Sequence, residues 1–300
     1  FNPEEIERQI YFSGEEWRSK SMGFRIYSFF GEVPDPALVS GAVARSAFRP
    51  SILLRLSFDN CDGKDEMTGL FGMQGIRRPL SDSTNGALLG MASNDCFGFA
   101  INSAADVEEV MDWSVINATF NCNHSLCRLA SEGGLRFRIP AHSRAEYIIA
   151  LGVYRDGIIT SGRRAYAYYT CFFEDLEDVL ESALDETEES LCKAKKLDDM
   201  LESSGLSEDR CFLIAQATHS YLANTELLRT EDGEPVFIVN EGEYQMMNTL
   251  DLVIDQIFWE ARFSPWTIRN ELESLAEYSS YRDLYGLAFA HDQGVDNCFA

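Results

Sequence analysis

The hydrophobic repeat of this chain changes abruptly at Phe173, and that change constrains the fold more than any other feature. From Met22 to Phe173 the chain is a succession of short runs rich in β-branched and aromatic residues: "FRIYSFF", "SILLRLSF", "ALLGMAS", "CFGFAIN", "LRFRIP", "AEYIIALGVY" and "YAYYTCFF". Clusters such as "PDP", "DNCDG", "STNG", "SEGG" and "RDG" lie between them, the punctuation expected between strands. In "SILLRLSF", Leu54, Leu56 and Phe58 alternate with Arg55 and Ser57, which places the apolar residues on one face. Many short strands at close spacing predict a β-sandwich over residues 1–173.

After Phe173 the repeat is helical. "FEDLEDVLESALDETEESLCKAKKLDDMLESSG" sets Leu176, Val179, Leu180, Ala183, Leu184, Leu191, Ala194, Leu197 and Leu201 at three- and four-residue intervals. This spacing predicts one long amphipathic helix with an acidic outer face, ended by Gly205. Ser207 reads as the N-cap of a second helix, "EDRCFLIAQATHSYLANTELLR", apolar on all sides and so expected to be buried. A brief extended run, "PVFIV", precedes a third helix from Met246 to Phe263, with Met247, Leu250, Ile254, Ile257, Phe258 and Ala261 on one face. A fourth starts at Ser264 as N-cap with Pro265 in the first turn. Strands are thus followed by successive helices over 174–300.

Composition excludes several functions. With 49 acidic against 25 basic side chains the formal charge is −24, which repels phosphate backbones and anionic lipid surfaces. The densest basic runs, at Arg77 and Arg78 and at Arg163 and Arg164, are too short for a nucleic-acid face. No apolar stretch of about 18 residues suggests a membrane span. No charged leader and apolar core precede Phe1, and the eight cysteines follow no repeated spacing, so reduced thiols and a cytoplasmic location are expected. The one short-range ligand cluster, Cys122, His124 and Cys127, lacks a second pair, and structural zinc needs four ligands. Neither a metal nor a nucleic-acid partner is expected, and a homodimer is left open. Sequons at Asn117 and Asn123 matter only in a secreted host.

The stretch "VNEGEYQMMNT" runs an apolar strand into two acids, Glu241 and Glu243. A carboxylate held between an apolar run and a helix can be aimed into a cavity, as glycoside hydrolysis requires. A retaining enzyme sets two carboxyls about 5 to 5.5 Å apart, one attacking the anomeric carbon and one protonating the leaving oxygen. The amide of Asn240 suits a sugar hydroxyl, and Gly242 lets the backbone turn close to a ligand. The alternative is that both acids face water near a helix N-terminus, where the dipole favours them.

The longer segment "PVFIVNEGEYQMMNTLDLVIDQIFWEARFSPWTIRNELE", together with "EVPDP", "SYLANTELL", "SPW" and "AHDQGVDN" in the same order, resembles the β-xylosidases of glycoside hydrolase family 52. The resemblance covers most of the chain, more loosely across the strands, where "NCNHSLC" has no counterpart. It implies a β-sandwich followed by an (α/α)6 barrel, of which residues 174–300 are the first helices. It also implies retaining release of xylose from the non-reducing end of xylo-oligosaccharides or aryl xylosides, without metal or organic cofactor. By motif position Glu241 is then the nucleophile. His291 and Asp292 match a pair that contacts sugar hydroxyls in related β-glucosidases, and with Asn240 they are the candidate substrate ligands.

The departure from the family pattern is the general acid, an aspartate expected beyond Ala300. Neither Glu243 nor Asp251 and Asp255 has a spacing that shows it reaching the leaving oxygen. The chain is therefore expected to be a fragment, truncated at both ends and poorly active alone. A β-glucosidase of the related clan and a noncatalytic carbohydrate-binding protein are the alternatives. His219 is expected to be a core histidine, and His124 and His142 surface residues.

Overall fold

A computed structural model describes residues 3–76, 78–94, 96–111 and 132–300. Arg77, the sequons at Asn117 and Asn123, and the cluster Cys122, His124 and Cys127 lie outside the described residues. In chain order the first strands are β1 (Glu7–Tyr11), β2 (Gly14–Arg18) and β3 (Met22–Tyr27), followed by helix α1 (Gly41–Ala47). Strands β4 (Ser51–Asp59), β5 (Met67–Gln74), β6 (Arg78–Pro79), β7 (Leu88–Ser93), β8 (Phe97–Asn102) and β9 (Val107–Met111) come next. After these come β10 (Glu132–Ile139), β11 (Arg144–Val153) and β12 (Ala165–Ala167). Helices α2 (Leu176–Asp185), α3 (Thr187–Glu202) and α4 (Glu208–Ala223) precede the hairpin of β13 (Thr225–Thr230) and β14 (Pro235–Val239). Helices α5 (Leu250–Phe263) and α6 (Pro265–Tyr278) lead to two short hairpins, β15 (Ser280–Asp283) with β16 (Gly286–Phe289) and β17 (Gly294–Val295) with β18 (Cys298–Phe299). The chain is thus mixed, strand-rich first and helix-rich later.

The chain divides into two compact units that do not follow chain order. The first gathers Phe1–Phe30, Pro50–Tyr154 and Glu174–Ala215; the second gathers Gly31–Arg49, Arg155–Phe173 and Gln216–Ala300.

In the first unit an eight-stranded sheet runs β1-β2-β3-β4-β11-β8-β7-β6, and a three-stranded sheet runs β5-β10-β9. Leu54, Leu56, Phe58, Phe99 and Ile149 of the large sheet meet Leu135, Phe137 and Ile139 of the small one in a single buried cluster. The alternation read in β4 holds, since Leu54, Leu56 and Phe58 are buried while Arg55 and Ser57 are half-buried. The other face of that strand is covered too. Leu53 packs with Leu176, Leu180, Ala183 and Leu184 of α2. That helix opens with a side-chain cap, Asp175 accepting the Asp178 N–H at 2.8 Å.

The single long helix expected after Phe173 is two helices. Glu186 leaves helical geometry (φ −97°, ψ 18°) between α2 and α3. The break lets α3 turn Ala194, Leu197 and Asp198 inward on a course of its own. Asp198 then fastens the helix to the sheet: its Oδ1 accepts the Ser13 N–H (2.8 Å), and Oδ2 accepts Ser13 Oγ (3.0 Å) and Arg25 (2.7 Å).

Three further expectations change. "TELLR", read as the end of a helix, is strand β13, because it pairs with both β12 and β14 and this pairing overrides the helix preference of Leu and Glu. The all-round apolar helix is not enclosed: Phe212, Leu213 and Ile214 are exposed. The third helix begins at Leu250 rather than Met246. The fourth starts as read, with Pro265 in its first turn and Ser264 at the cap position. The Ser264 hydroxyl, however, accepts the Val33 N–H (3.0 Å) instead of capping, and Trp266 Nε1 donates to the Val33 carbonyl (2.9 Å). "EVPDP" and "SPW", far apart in sequence, are therefore neighbours in the second unit.

Candidate active site

The site is built on the β13–β14 hairpin, in which Thr225 stands opposite Val239. Ile238, Val236 and Leu228 of this hairpin are buried with Ala165 and Met247, so its end is rigid where Asn240 and Glu241 leave it. The Asn240 N–H continues the ladder to the Asn224 carbonyl (2.8 Å). A tight loop follows: the Glu241 N–H donates to the Met246 carbonyl (2.8 Å) and the Tyr244 N–H to the Glu241 carbonyl (3.0 Å). Gly242, at φ +47°, takes the left-handed conformation this turn requires.

Residues 246–250 are then zipped to the chain's last loop. The Met247 N–H donates to the Gly294 carbonyl (2.8 Å), the Gln293 N–H to the Met247 carbonyl (2.9 Å) and the Leu250 N–H to the His291 carbonyl (2.9 Å). These bonds hold 246–249 extended or left-handed, which is why α5 cannot begin before Leu250. Gly294 has no room for a side chain; a Cβ there would stand 1.9 Å from the Cys298 carbonyl oxygen.

Asn248 sits at the centre of this junction, left-handed at φ +47° and 1% exposed. Its Oδ1 accepts the Val239 N–H (2.7 Å), and its Nδ2 donates to the Phe237 carbonyl (2.9 Å) and to Gln293 Oε1 (3.1 Å). Gln293 Nε2 donates in turn to Ser274 Oγ on α6 (2.9 Å). One buried amide chain thus links strand, loop and helix.

The four residues singled out from sequence come together on this frame. Glu241 is half-buried, and its Oε2 accepts the Thr249 hydroxyl at 3.2 Å. Thr249 occupies the cap position of α5 without capping it; its hydroxyl serves the carboxylate instead. Asn240 Nδ2 donates to Glu226 Oε1 (3.4 Å), and Asn297 Nδ2 to Glu226 Oε2 (3.3 Å). His291 Nδ1 lies 3.1 Å from Asp292 Oδ2, while Asp292 Oδ1 accepts the Gly294 N–H at 2.9 Å. The bond to Asp292 raises the His291 pKa, and the negative charges of Asp251, Asp292 and Glu241 add to it. Among the described residues no group of three or more His, Cys, Asp or Glu side chains is placed to share a metal ion.

Other candidates lie elsewhere. Glu243, Asp251 and Asp255 are exposed, His219 is half-buried, and His142 is exposed with Nδ1 3.0 Å from the Cys61 carbonyl oxygen. Sequence reading missed Glu226, Asn248, Thr249 and Gln293. Asn248 carried a readable signal, an amide between Met247 and Thr249 just ahead of an apolar helix. Glu226 carried none, because its segment reads as helix.

This arrangement presents one fixed carboxylate beside an ionisable imidazole and amide groups, suited to a polyhydroxylated ligand and to attack at an electrophilic carbon. The sequence model of the family described as Glycosyl hydrolase family 52 matches residues 1–300. Two curated relatives, both named beta-xylosidase and both from Geobacillus stearothermophilus, are 32% and 34% identical over 318 aligned residues. The alignments take in 100% of this chain but 45% and 51% of the relatives, so the chain spans about half the length of the curated relatives it matches.

Proposed function

Because this chain belongs to glycosyl hydrolase family 52, we propose that it carries the nucleophile of a retaining β-xylosidase, which releases xylose from the non-reducing ends of xylo-oligosaccharides in xylan degradation. The observation that carries this reading is the hydrogen bond from Thr249 to Glu241, which holds a half-buried carboxylate on the segment zipped to the loop of His291. Glu241 attacks the anomeric carbon through the oxygen that Thr249 does not hold as the glycosidic bond breaks and the general acid protonates the leaving oxygen; water then cleaves the sugar–Glu241 bond, freeing xylose and the carboxylate. His291, Asp292 and Asn240 bind sugar hydroxyls.

The general acid belongs to an aspartate outside residues 1–300, in later helices of an (α/α)6 barrel that follows a β-sandwich. Two features support that architecture: the core shared by two sheets, and the apolar stripe of Ile254, Phe258 and Ala261, exposed on α5, where further helices would pack. Replacing that general acid in the whole enzyme should cost about 10²- to 10⁴-fold in turnover.

The test needs no general acid. A 2-deoxy-2-fluoro-β-xyloside with a dinitrophenolate leaving group should trap the glycosyl-enzyme on this chain, and peptide mapping should find the label on Glu241. Glu241→Gln should label slower by on the order of 10³-fold or more while keeping its circular dichroism. Label on another residue, or no label, sinks the assignment. Faster labelling by the matching 2-fluoro glucoside moves the substrate to a β-glucoside.

A further inference from the structure

Two carboxyl groups that the proposed chemistry does not use face each other inside the second unit. Glu260 on α5 and Glu271 on α6 are both 0% exposed. Tyr221, on the end of α4 that belongs to this unit, donates its hydroxyl to Glu260 Oε1 at 2.8 Å. Gln256, one turn earlier on α5, donates its amide to Glu271 Oε2 at 3.3 Å. The remaining oxygens, Glu260 Oε2 and Glu271 Oε1, are buried with no hydrogen-bond donor. The Thr267 hydroxyl on α6, near Glu260, donates instead to the Ser264 carbonyl (2.8 Å). The groups facing the pair are therefore a phenol, an amide and a hydroxyl. Among the described residues no Lys, Arg or His pairs with either glutamate.

Two ionised carboxylates in such a place would carry desolvation cost and mutual repulsion that two neutral donors offset only in part. A single proton held between the two orphan oxygens removes one charge and supplies the missing hydrogen bond at once.

We infer that Glu260 and Glu271 share one proton through Glu260 Oε2 and Glu271 Oε1, and that this proton locks α5 against α6. The lock bears on the site. Helix α5 starts immediately after Thr249, and α6 carries Ser274, which holds Gln293, and Asn270, whose Oδ1 accepts the Phe237 N–H (2.7 Å). Pinning the two helices keeps both walls of the Glu241 loop in register. The inference rests on the burial and bonding of the pair and is independent of the glycosidase reading.

The pH dependence has a definite sign. Burial, then the charge of Glu260, push the Glu271 carboxyl up to about 10, and burial raises Glu260 as well. An unfolded glutamate titrates near about 4.3. Between these values the folded chain binds one proton that the unfolded chain does not, so stability falls as pH rises through that window. The stabilisation is whole below the unfolded value and gone once pH passes the folded one.

Urea unfolding of the whole 300-residue chain between pH 6 and 9 tests this, comparing wild type with Glu271→Gln, whose amide N–H replaces the shared proton permanently. The wild-type folding constant should fall by an extra factor of about ten per pH unit relative to the variant, near a thousandfold over the range. Parallel slopes for the two proteins overturn the proposal. If Glu271→Gln does not fold, the infrared spectrum of the wild type decides. A protonated-carboxyl C=O band that persists at pH 8 and vanishes on unfolding supports the shared proton, and its absence at pH 8 overturns it.

Discussion

At the residue scale the site depends on side chains whose work only contacts disclose. Thr249 occupies the cap position of α5, yet its hydroxyl is turned to Glu241 Oε2 at 3.2 Å. Removing that bond leaves the carboxylate free to rotate, which costs orientation rather than folding. Thr249→Val should slow labelling of Glu241 by the fluoroxyloside about tenfold and shift stability by about 1 kcal/mol or less; Thr249→Ser should restore most of the rate. Equal rates for Val and wild type would show that the hydroxyl does not position Glu241. Asn240, Glu241, His291 and Asp292 were legible as candidates because a contiguous motif and a short pair announce them. Glu226 was not, since a carboxylate that bridges Asn240 and Asn297 leaves no trace in local sequence.

Elements were legible by type and less so by extent. The strand alternation around Leu54 and the Pro265 helix start stand as read, because both rest on local geometry. The break at Glu186 and the conversion of "TELLR" to a strand depend on partners elsewhere, on the sheet for one and on β12 and β14 for the other. Asp198 is the main fastening of α3 to the sheet. Its pairing with Arg25 has both side chains largely buried, 10% and 13% exposed, and Arg25 also lies over the Tyr11 and Tyr27 rings at 4.0 and 4.6 Å. Truncating one partner strands a buried charge, so Asp198→Ala should destabilise the chain by about 3 kcal/mol. Urea unfolding reads the loss, and hydrogen exchange at Ser13 should quicken as its amide loses its acceptor. An unchanged midpoint would mean that α3 is held by its apolar face alone.

At the scale of the whole molecule, apolar helix faces stand in solvent. Phe258 is 86% exposed, Ile254 58%, and Leu284 and Tyr285 at the β15–β16 turn 98% and 96%. Exposed apolar side chains of this kind promote association or dye binding. The chain at micromolar concentration should bind a hydrophobic fluorophore and sediment in a concentration-dependent way, and Phe258→Lys with Leu284→Lys should reduce both while leaving the urea midpoint nearly unchanged. A double variant with undiminished dye binding would place the sticky surface elsewhere. Among the described residues no helix is long and apolar enough to cross a membrane.

Sequence by itself determined the strand alternation around Leu54 and the helix start at Pro265, because a repeat of two or a cap signal is written in consecutive residues. It also singled out Glu241, because the motif around it is contiguous. Tertiary structure decided which helix goes with which sheet and which apolar faces stay exposed. It decided as well that Asn248, Gln293 and Ser274 would join into one buried chain and that Glu260 would meet Glu271. Those outcomes depend on distances between residues remote in sequence, and a linear pattern carries no information about what lies across a fold.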